Sequence, residues 1–396
     1  MTDHQGPLAT VREQSRIEKA VILPSPGFGR WLAEMGGSIA FTTYQSARLF
    51  FVSPDGNGGT TGLERVVGTA MGLAVSPEKL WVSNQEQIWR FANAGSGEID
   101  GTIYQAIYLP RKGHLISGCD VHDMLADVTL RGRSHDLVFT NTRYNCLAVL
   151  DEHYAFRPIW KPSFISAIAP EDRCHLNGIG SRDGAVAFAT LCGESDTQGG
   201  WREFKNGGGM VVDVENDRVL CAGLSMPHSP RWHDGKLWLL NSGAGDFGYI
   251  DAERQAFVPI ALCPGFARGL SFAGDYAIVG LSKMRDNTFS SGLTLKTRLE
   301  DRHVRERCGL AVYDLRTGDL VHWLTIKGST TELYDVAVLP GITRPFTPGF
   351  SSPEMHRFIV HLPRDAEFPL VPLPKSFRTT HNQTAADVPT DPGNAS

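Results

Sequence analysis

Short apolar runs rich in Val, Leu, Phe and Trp alternate with Gly, Asp and Asn turns through most of the chain, outside the first thirty or so residues and the tail. Lys79–Ser83 (KLWVS), Leu137–Asn141 (LVFTN), Gly209–Asp213 (GMVVD), Lys236–Leu240 (KLWLL), Tyr276–Gly280 (YAIVG) and Gly309–Tyr313 (GLAVY) are examples. Each is a strand by composition and length. None extends to the ten or more residues of helical period that a crossover helix needs, so a parallel α/β sheet is disfavoured.

A repeat of blade length organises these runs. Met71–Val75 (MGLAV), His122–Leu125 (HDML), Asn177–Gly180 (NGIG), His228–Trp232 (HSPRW), Arg268–Phe272 (RGLSF) and Tyr334–Val338 (YDVAV) align as six inner strands, at spacings of 51, 55, 51, 40 and 66 residues. A four-stranded propeller blade takes a few tens of residues. Residues 38–67 supply strands with no inner strand of their own, while the last repeat runs out near Pro340. The N-terminal strands therefore complete the sixth blade and close the ring, which removes exposed sheet edges. The expectation is an all-β chain: an N-terminal extension (1–30), a single six-bladed β-propeller (31–345), a Pro-rich segment packing on it (346–375, with a strand over Met355–Leu362) and a disordered tail (376–396).

Composition narrows the function classes. The 396 residues carry a formal charge of -5 at a pI near 6.2, with no basic footprint for a polyphosphate, so nucleic acid is excluded as the main partner. No stretch approaches the ~18 apolar residues of a membrane span. Seven cysteines, odd in number and never in a CxxC pair, read as reduced thiols. With Glu13 and Glu18 in an N-terminus that lacks a basic-then-apolar run, the expected location is the cytoplasm.

In a propeller the inner strands begin beside the axis, and the six aligned axial residues are Met71, His122, Asn177, His228, Arg268 and Tyr334. His175 lies two residues before Asn177 and points the same way by strand alternation. His122, His175 and His228 are a candidate ligand set for a divalent Fe, Zn or Cu ion, since neutral imidazoles suit all three metals; Asn177 is a weaker fourth ligand or a substrate contact. Taken singly, each histidine reads equally as a hydrogen-bonded channel residue. Two connections, Gly193–Glu203 and Ser282–Arg307, are long and polar enough to wall an axial site, and the charged run from Lys296 to Arg307 reads as a short solvated helix. Glu194 or Asp123 is the candidate general base, Tyr334 a proton or hydrogen-bond donor, and Arg202, Arg231, Arg268 and Trp201 candidate substrate contacts. A buried guanidinium needs a carboxylate partner or an anionic ligand. P-loop, GxSxG and HExxH signatures are all missing from the sequence.

Several stretches carry a resemblance: Phe41–Gln45 (FTTYQ), Phe139–Leu147 (FTNTRYNCL), Asp172–Gly178 (DRCHLNG), Leu224–Trp232 (LSMPHSPRW), Phe266–Leu270 (FARGL) and Glu332–Val336 (ELYDV). Over about residues 28–345 the chain resembles an uncharacterised bacterial β-propeller family, a domain of unknown function. In architecture alone it is more distantly similar to the six-bladed lactonase and lyase propellers, which hold an axial metal mainly by carboxylate and Asn ligands. The first functional expectation is a metal-dependent enzyme acting on a small polar, anionic substrate by hydrolase, lyase, epimerase or oxygenase chemistry. The alternatives are a non-catalytic propeller that binds a peptide or protein partner, and a metal-free enzyme using His and Tyr334 as acid and base.

Overall fold

The computed structural model describes residues 20–285, 291–350 and 352–358. Residues 1–347 and 348–396 form separate compact units.

In the first unit the strand rhythm folds into six four-stranded antiparallel blades. Blade 1 comprises Leu73–Val75, Lys79–Ser83, Gln87–Asn93 and Ala106–Leu115, and blade 2 comprises Met124–Leu130, Arg133–Asn141, Cys146–Val149 and Arg157–Trp160. Blade 3 is built from Leu176–Arg182, Ala185–Leu191, Gly209–Asp213 and Arg218–Leu224; blade 4 from Pro227–His233, Lys236–Asn241, Asp246–Asp251 and Ala256–Leu262. Blade 5 contains Phe266–Ala273, Tyr276–Ser282, Gly309–Asp314 and Leu320–Lys327. Blade 6 takes its inner strand, Leu333–Pro340, from the far end of the ring and its outer three, Gly37–Thr43, Arg48–Pro54 and Thr60–Val66, from the N-terminal side, with Ile39 opposite Val338 and Ala40 opposite Ala337. The closure expected from the orphan N-terminal strands is thus present.

Two edges are extended. Val21–Pro24 pairs antiparallel with the outer strand of blade 5, so the ring takes in chain from within the segment assigned to the N-terminal extension. Pro345–Phe346 pairs parallel with Ala106–Ile107 of blade 1. In the second unit, Pro353–Phe358 forms a 3-10 turn where a strand was expected from Met355. Proline fixes the first φ of that turn, and Ser352 Oγ accepts the Glu354 amide at 3.2 Å. The rest of that expected strand, residues 1–19 and the tail lie outside the described residues.

An Asp or Asn at the end of the third strand caps the next turn in most blades. Asn93, Asp151, Asp213, Asp251 and Asp314 each accept the backbone N–H two residues on, at 2.9–3.1 Å. This Asx turn is why these two residue types punctuate the repeat. Apolar faces of neighbouring blades then pack together. A helix, α1 (Phe28–Met35), buries Phe28, Trp31 and Leu32 against Ile39, Phe41 and Phe50 of blade 6 and Ile278, Leu310 and Leu324 of blade 5. Each such side chain contributes about 1.5–3 kcal/mol. Gly36, at φ 68°, ends the helix in the left-handed conformation. At Gly29 a Cβ would stand 2.2 Å from the Gly59 carbonyl oxygen, so only glycine allows that approach.

Candidate functional site

Around the hub, a hydroxyl at the end of a blade's second strand donates to a carbonyl at the start of the next blade's inner strand. Thr42 donates to Met71 O (2.5 Å), Ser83 to Val121 O (3.4 Å), Thr142 to Leu176 O (2.6 Å), Ser242 to Ala267 O (2.7 Å) and Ser282 to Leu333 O (2.7 Å). Four of these carbonyls belong to the residue just before the axial one. By the same register blade 1 places Gly72 in the hub slot rather than Met71, so that blade offers no side chain there. Between blades 3 and 4 the hydroxyl is replaced by Cys192. Asn177 Nδ2 makes the bridge instead, to Cys192 Sγ and Pro227 O, both at 3.1 Å.

These stitches fix the imidazoles. The Thr142 hydroxyl proton is committed to Leu176 O, so its oxygen accepts from His122 Nδ1 at 2.9 Å; the Asp120 carbonyl accepts from the same nitrogen at 2.9 Å. His228 repeats the arrangement, with Ser242 Oγ at 3.0 Å and the Met226 carbonyl at 2.9 Å from Nδ1. Asp120 and Met226 hold their carbonyls in place with left-handed backbones, φ 57° and 48°. Carbonyl oxygens only accept, so both rings carry the proton on Nδ1 and leave Nε2 as a lone pair. His175 reaches the same tautomer by another route: its Nδ1 lies 3.0 Å from both Asp172 carboxylate oxygens, and Trp201 Nε1 donates to Asp172 Oδ2 at 2.8 Å. His175 and Asp172 are themselves left-handed, φ 51° and 45°, a strain that persists only where its surroundings enforce it.

Ring contacts run round the hub from blade 3 through blades 2, 6 and 5 to blade 4. Trp201 stacks on His175 (centroids 4.2 Å), His175 meets His122 edge-on (4.9 Å), and His122 meets Tyr334 (5.6 Å). The Arg268 guanidinium lies over the rings of Tyr334 (5.0 Å) and Phe266 (5.2 Å), and Phe266 meets His228 edge-on at 5.6 Å. Burial pushes the His122 pKa down to about 4 and holds His228 well below the ordinary imidazole value, the latter with help from Arg268. Both rings are therefore neutral near pH 7. Burial raises Tyr334 well above the ordinary phenol value and lowers Arg268. At Asp172 burial pushes upward, but the pull of His175 and the hydrogen bonds from His175 and Trp201 outweigh it and hold the carboxyl low.

Two sequence assignments are corrected by the layer beneath. Asp123 and Arg231, expected as general base and substrate contact, face each other in a bidentate pair, both contacts 2.9 Å. Asp123 also accepts the Met124 and Ile179 amides, which leaves it no role as a base. The sequence does not reveal which carboxylate a guanidinium meets across the ring. Asp335 adjoins this pair, 4.0 Å from Arg231, and burial together with Asp123 raises its pKa to about 7. Glu332 takes Arg285.

The loop residues divide. Trp201 is buried as the cover of His175, whereas Arg202 is exposed and lies over the Trp201 ring at 4.6 Å. Glu194 is exposed on its loop. Within the blade-5 connection the charged run is helical only in its first half, Thr294–Asp301, anchored by buried Leu295 and Leu299, and Arg302–Arg307 follow as turn and irregular chain. Sequence reasoning missed Asp172, Thr142 and Ser242. The available signals were the acidic residue three before His175 and the hydroxyl that recurs at the end of five of the six second strands.

Among the described residues no three His, Cys, Asp or Glu side chains are grouped to hold a metal ion. His175 Nε2, His228 Nε2 and Asn177 Oδ1 are buried without a hydrogen-bond partner. No helix of the described residues is long and apolar enough to cross a membrane, and all seven cysteines are free and buried.

The profile of a domain of unknown function, DUF4915, matches residues 26–347. The chain belongs to the DUF4915 family. No curated protein matches this DUF4915 chain. Among solved structures it is similar to the Nidogen/Laminin complex, at 10% identity and TM-score 0.46 over 77% of this chain and 99% of that one. It is also similar to a protein of unknown function from Bacteroides caccae, at 10% identity and TM-score 0.44 over 77% and 99%. TolB from Acinetobacter baumannii is similar at 14% identity and TM-score 0.43 over 78% and 67%.

Proposed function

We propose that the hub is the active site of an enzyme that moves a proton on a small anionic molecule, with His175 as general base and Asp172 as the group that orients it. The observation carrying this reading is the pair itself: a carboxylate holds Nδ1–H, and Nε2 is buried without a partner in a ring that is 5% exposed. Such an arrangement keeps the basic nitrogen aimed at the hub and stabilises the imidazolium once the proton has moved. Arg268 would anchor the anion, since a planar guanidinium matches a carboxylate, and the protonated Tyr334 would donate to it. His122 and His228, neutral near pH 7, serve as acceptors.

The test is turnover in D2O against a panel of small carboxylates and phosphate esters, read as deuterium incorporation or bond cleavage. His175→Gln and Asp172→Asn should slow the reaction by about 10²–10⁴-fold while leaving binding in place. Undiminished turnover in His175→Gln overturns the reading.

One observation favours a second reading. All three tautomers present an Nε2 lone pair with the other nitrogen held by an oxygen, which is how ligating histidines are oriented in Fe, Zn or Cu centres. Elemental analysis of the chain purified without chelators distinguishes the two: stoichiometric metal lost in a His122→Ala/His228→Ala variant supports the metal, and its absence supports the proton-transfer reading.

A further inference from the structure

Away from the hub, blade 5 carries a second concentration of charge. Its second strand ends at Ser282, whose hydroxyl reaches the start of the blade-6 inner strand, so this end of the blade belongs to the hub's face. A cleft of about 530 Å³ opens there, between the blade and Leu23–Pro26, chain that the ring takes in from the N-terminal side. Backbone pairing fixes this wall: Leu23 lies opposite Thr325, and the Ser25 amide donates to the Trp323 carbonyl at 2.8 Å. The volume is that of a small-molecule site.

Four cations line the cleft from three separate segments: Lys283 after the second strand, Arg305 and Arg307 before the third, and Lys327 at the end of the fourth. Among the described residues none of the four makes an ion pair. The carboxylates at hand are engaged elsewhere. Glu306, the one acidic residue of the lining, accepts the Met284 amide at 3.2 Å, and Glu332, in the adjoining crevice with Lys283, takes Arg285. Since the chain as a whole has a formal charge of -5, the cluster is not a by-product of composition. Like charges gathered round a concave surface repel one another and attract an anion. Arg307 is held in position: its guanidinium lies over the Trp323 ring at 5.3 Å, and its amide donates to the Pro264 carbonyl at 2.8 Å.

We infer that this cleft binds the phosphate or diphosphate group of a small soluble molecule, with Arg307 as the fixed contact and Lys283, Arg305 and Lys327 closing round it. Charge and oxygen number choose the class. A carboxylate brings one charge and two oxygens to four cations, whereas a phosphate monoester brings about 1.5–2 charges and three acceptor oxygens. Guanidinium groups match phosphate geometry, and lysines add point charge. Leu23 and Trp323 offer the rest of the molecule an apolar surface. The inference stands apart from the reading of the hub.

Calorimetric titration of the full chain with inorganic phosphate and pyrophosphate, against malonate as a dicarboxylate, tests this. Pyrophosphate should bind saturably at one site, at least ~10-fold tighter than malonate, and should weaken as salt rises. Arg307→Gln and the double variant Lys283→Gln/Lys327→Gln should each weaken pyrophosphate by about 10-fold or more. Arg254→Gln, at an exposed arginine of blade 4, should leave it unchanged. Unchanged unfolding midpoints show that the variants fold. No saturable binding, malonate bound as tightly as pyrophosphate, or equal weakening in Arg254→Gln overturns the inference. Weakening in Arg268→Gln with none in Arg307→Gln places the anion at the hub and also overturns it. Vesicles of phosphatidylcholine with phosphatidic acid separate the sources of phosphate: co-sedimentation of the chain that is lost in Arg307→Gln assigns the group to a lipid and overturns the soluble ligand.

Discussion

Replacing Arg231 with methionine should destabilise the ring in a manner that grows with pH. Its guanidinium is the counterion of Asp123, whose side chain is only 4% exposed, and it lies 4.0 Å from Asp335 at 3%. Breaking a buried pair by removing one partner costs about 3–5 kcal/mol, because the other charge stays buried. In the wild type Asp335 is raised from the ordinary 3.8 to about 7. Between those values the folded chain holds more protons than the unfolded one, so this group's contribution to stability falls as pH rises. About three units at 1.36 kcal/mol each give about 4 kcal/mol. Without Arg231 the folded-state value climbs further, and the decline extends to higher pH. Guanidinium unfolding at pH 5, 7 and 8.5, with midpoint and slope compared between the two chains, should show the smallest deficit at pH 5 and the largest at pH 8.5. A deficit below ~1 kcal/mol, the range of an exposed ion pair, or one that does not change with pH, refutes the account of this layer.

Three further outcomes are expected. In ¹⁵N-detected spectra, His122 and His228 should remain neutral with Nδ1 protonated from pH 8 down to at least pH 5, since His122 is lowered to about 4 and His228 well below its ordinary value; titration of either near 6.5 contradicts the burial argument. Thr142→Val should cost about 1–3 kcal/mol by leaving the Leu176 carbonyl unsatisfied, and should alter the His122 ¹⁵N shifts without altering those of His228. Gly29→Ala should lower stability by about 1–3 kcal/mol through overpacking, given the 2.2 Å approach to the Gly59 carbonyl oxygen; an unchanged melting temperature contradicts it.

The ring was legible in the sequence because a blade is a local unit: alternation, a turn residue and a spacing recur together, and the orphan strands near residue 40 demanded a partner near residue 335. Axial positions followed from the same alignment, which is why His122, His175, Asn177, His228, Arg268 and Tyr334 do share the hub. The error at Met71 came from a one-residue slip that only the hydroxyl stitches reveal. Partners across blades were not legible. Asp172 reaches His175 through two left-handed residues, and a left-handed backbone at a histidine leaves no trace in hydropathy. Asp123 and Arg231 lie 108 positions apart and meet only because blades 2 and 4 face the same axis. The exposed Glu194 and Arg202 were placed at the site by loop length alone, which says that a wall is present but not which side chains line it.

Blade 6 has a consequence for biosynthesis. Its three outer strands emerge first from the ribosome, but their inner neighbour, Leu333–Pro340, is translated almost 300 residues later. During that interval Gly37–Thr43 has an unpaired edge, the kind of surface that recruits a foreign strand. Late closure over so long a loop is slow and prone to aggregation. Yield in a heterologous host should therefore depend on chaperone supply and growth temperature more than on the final stability of the ring.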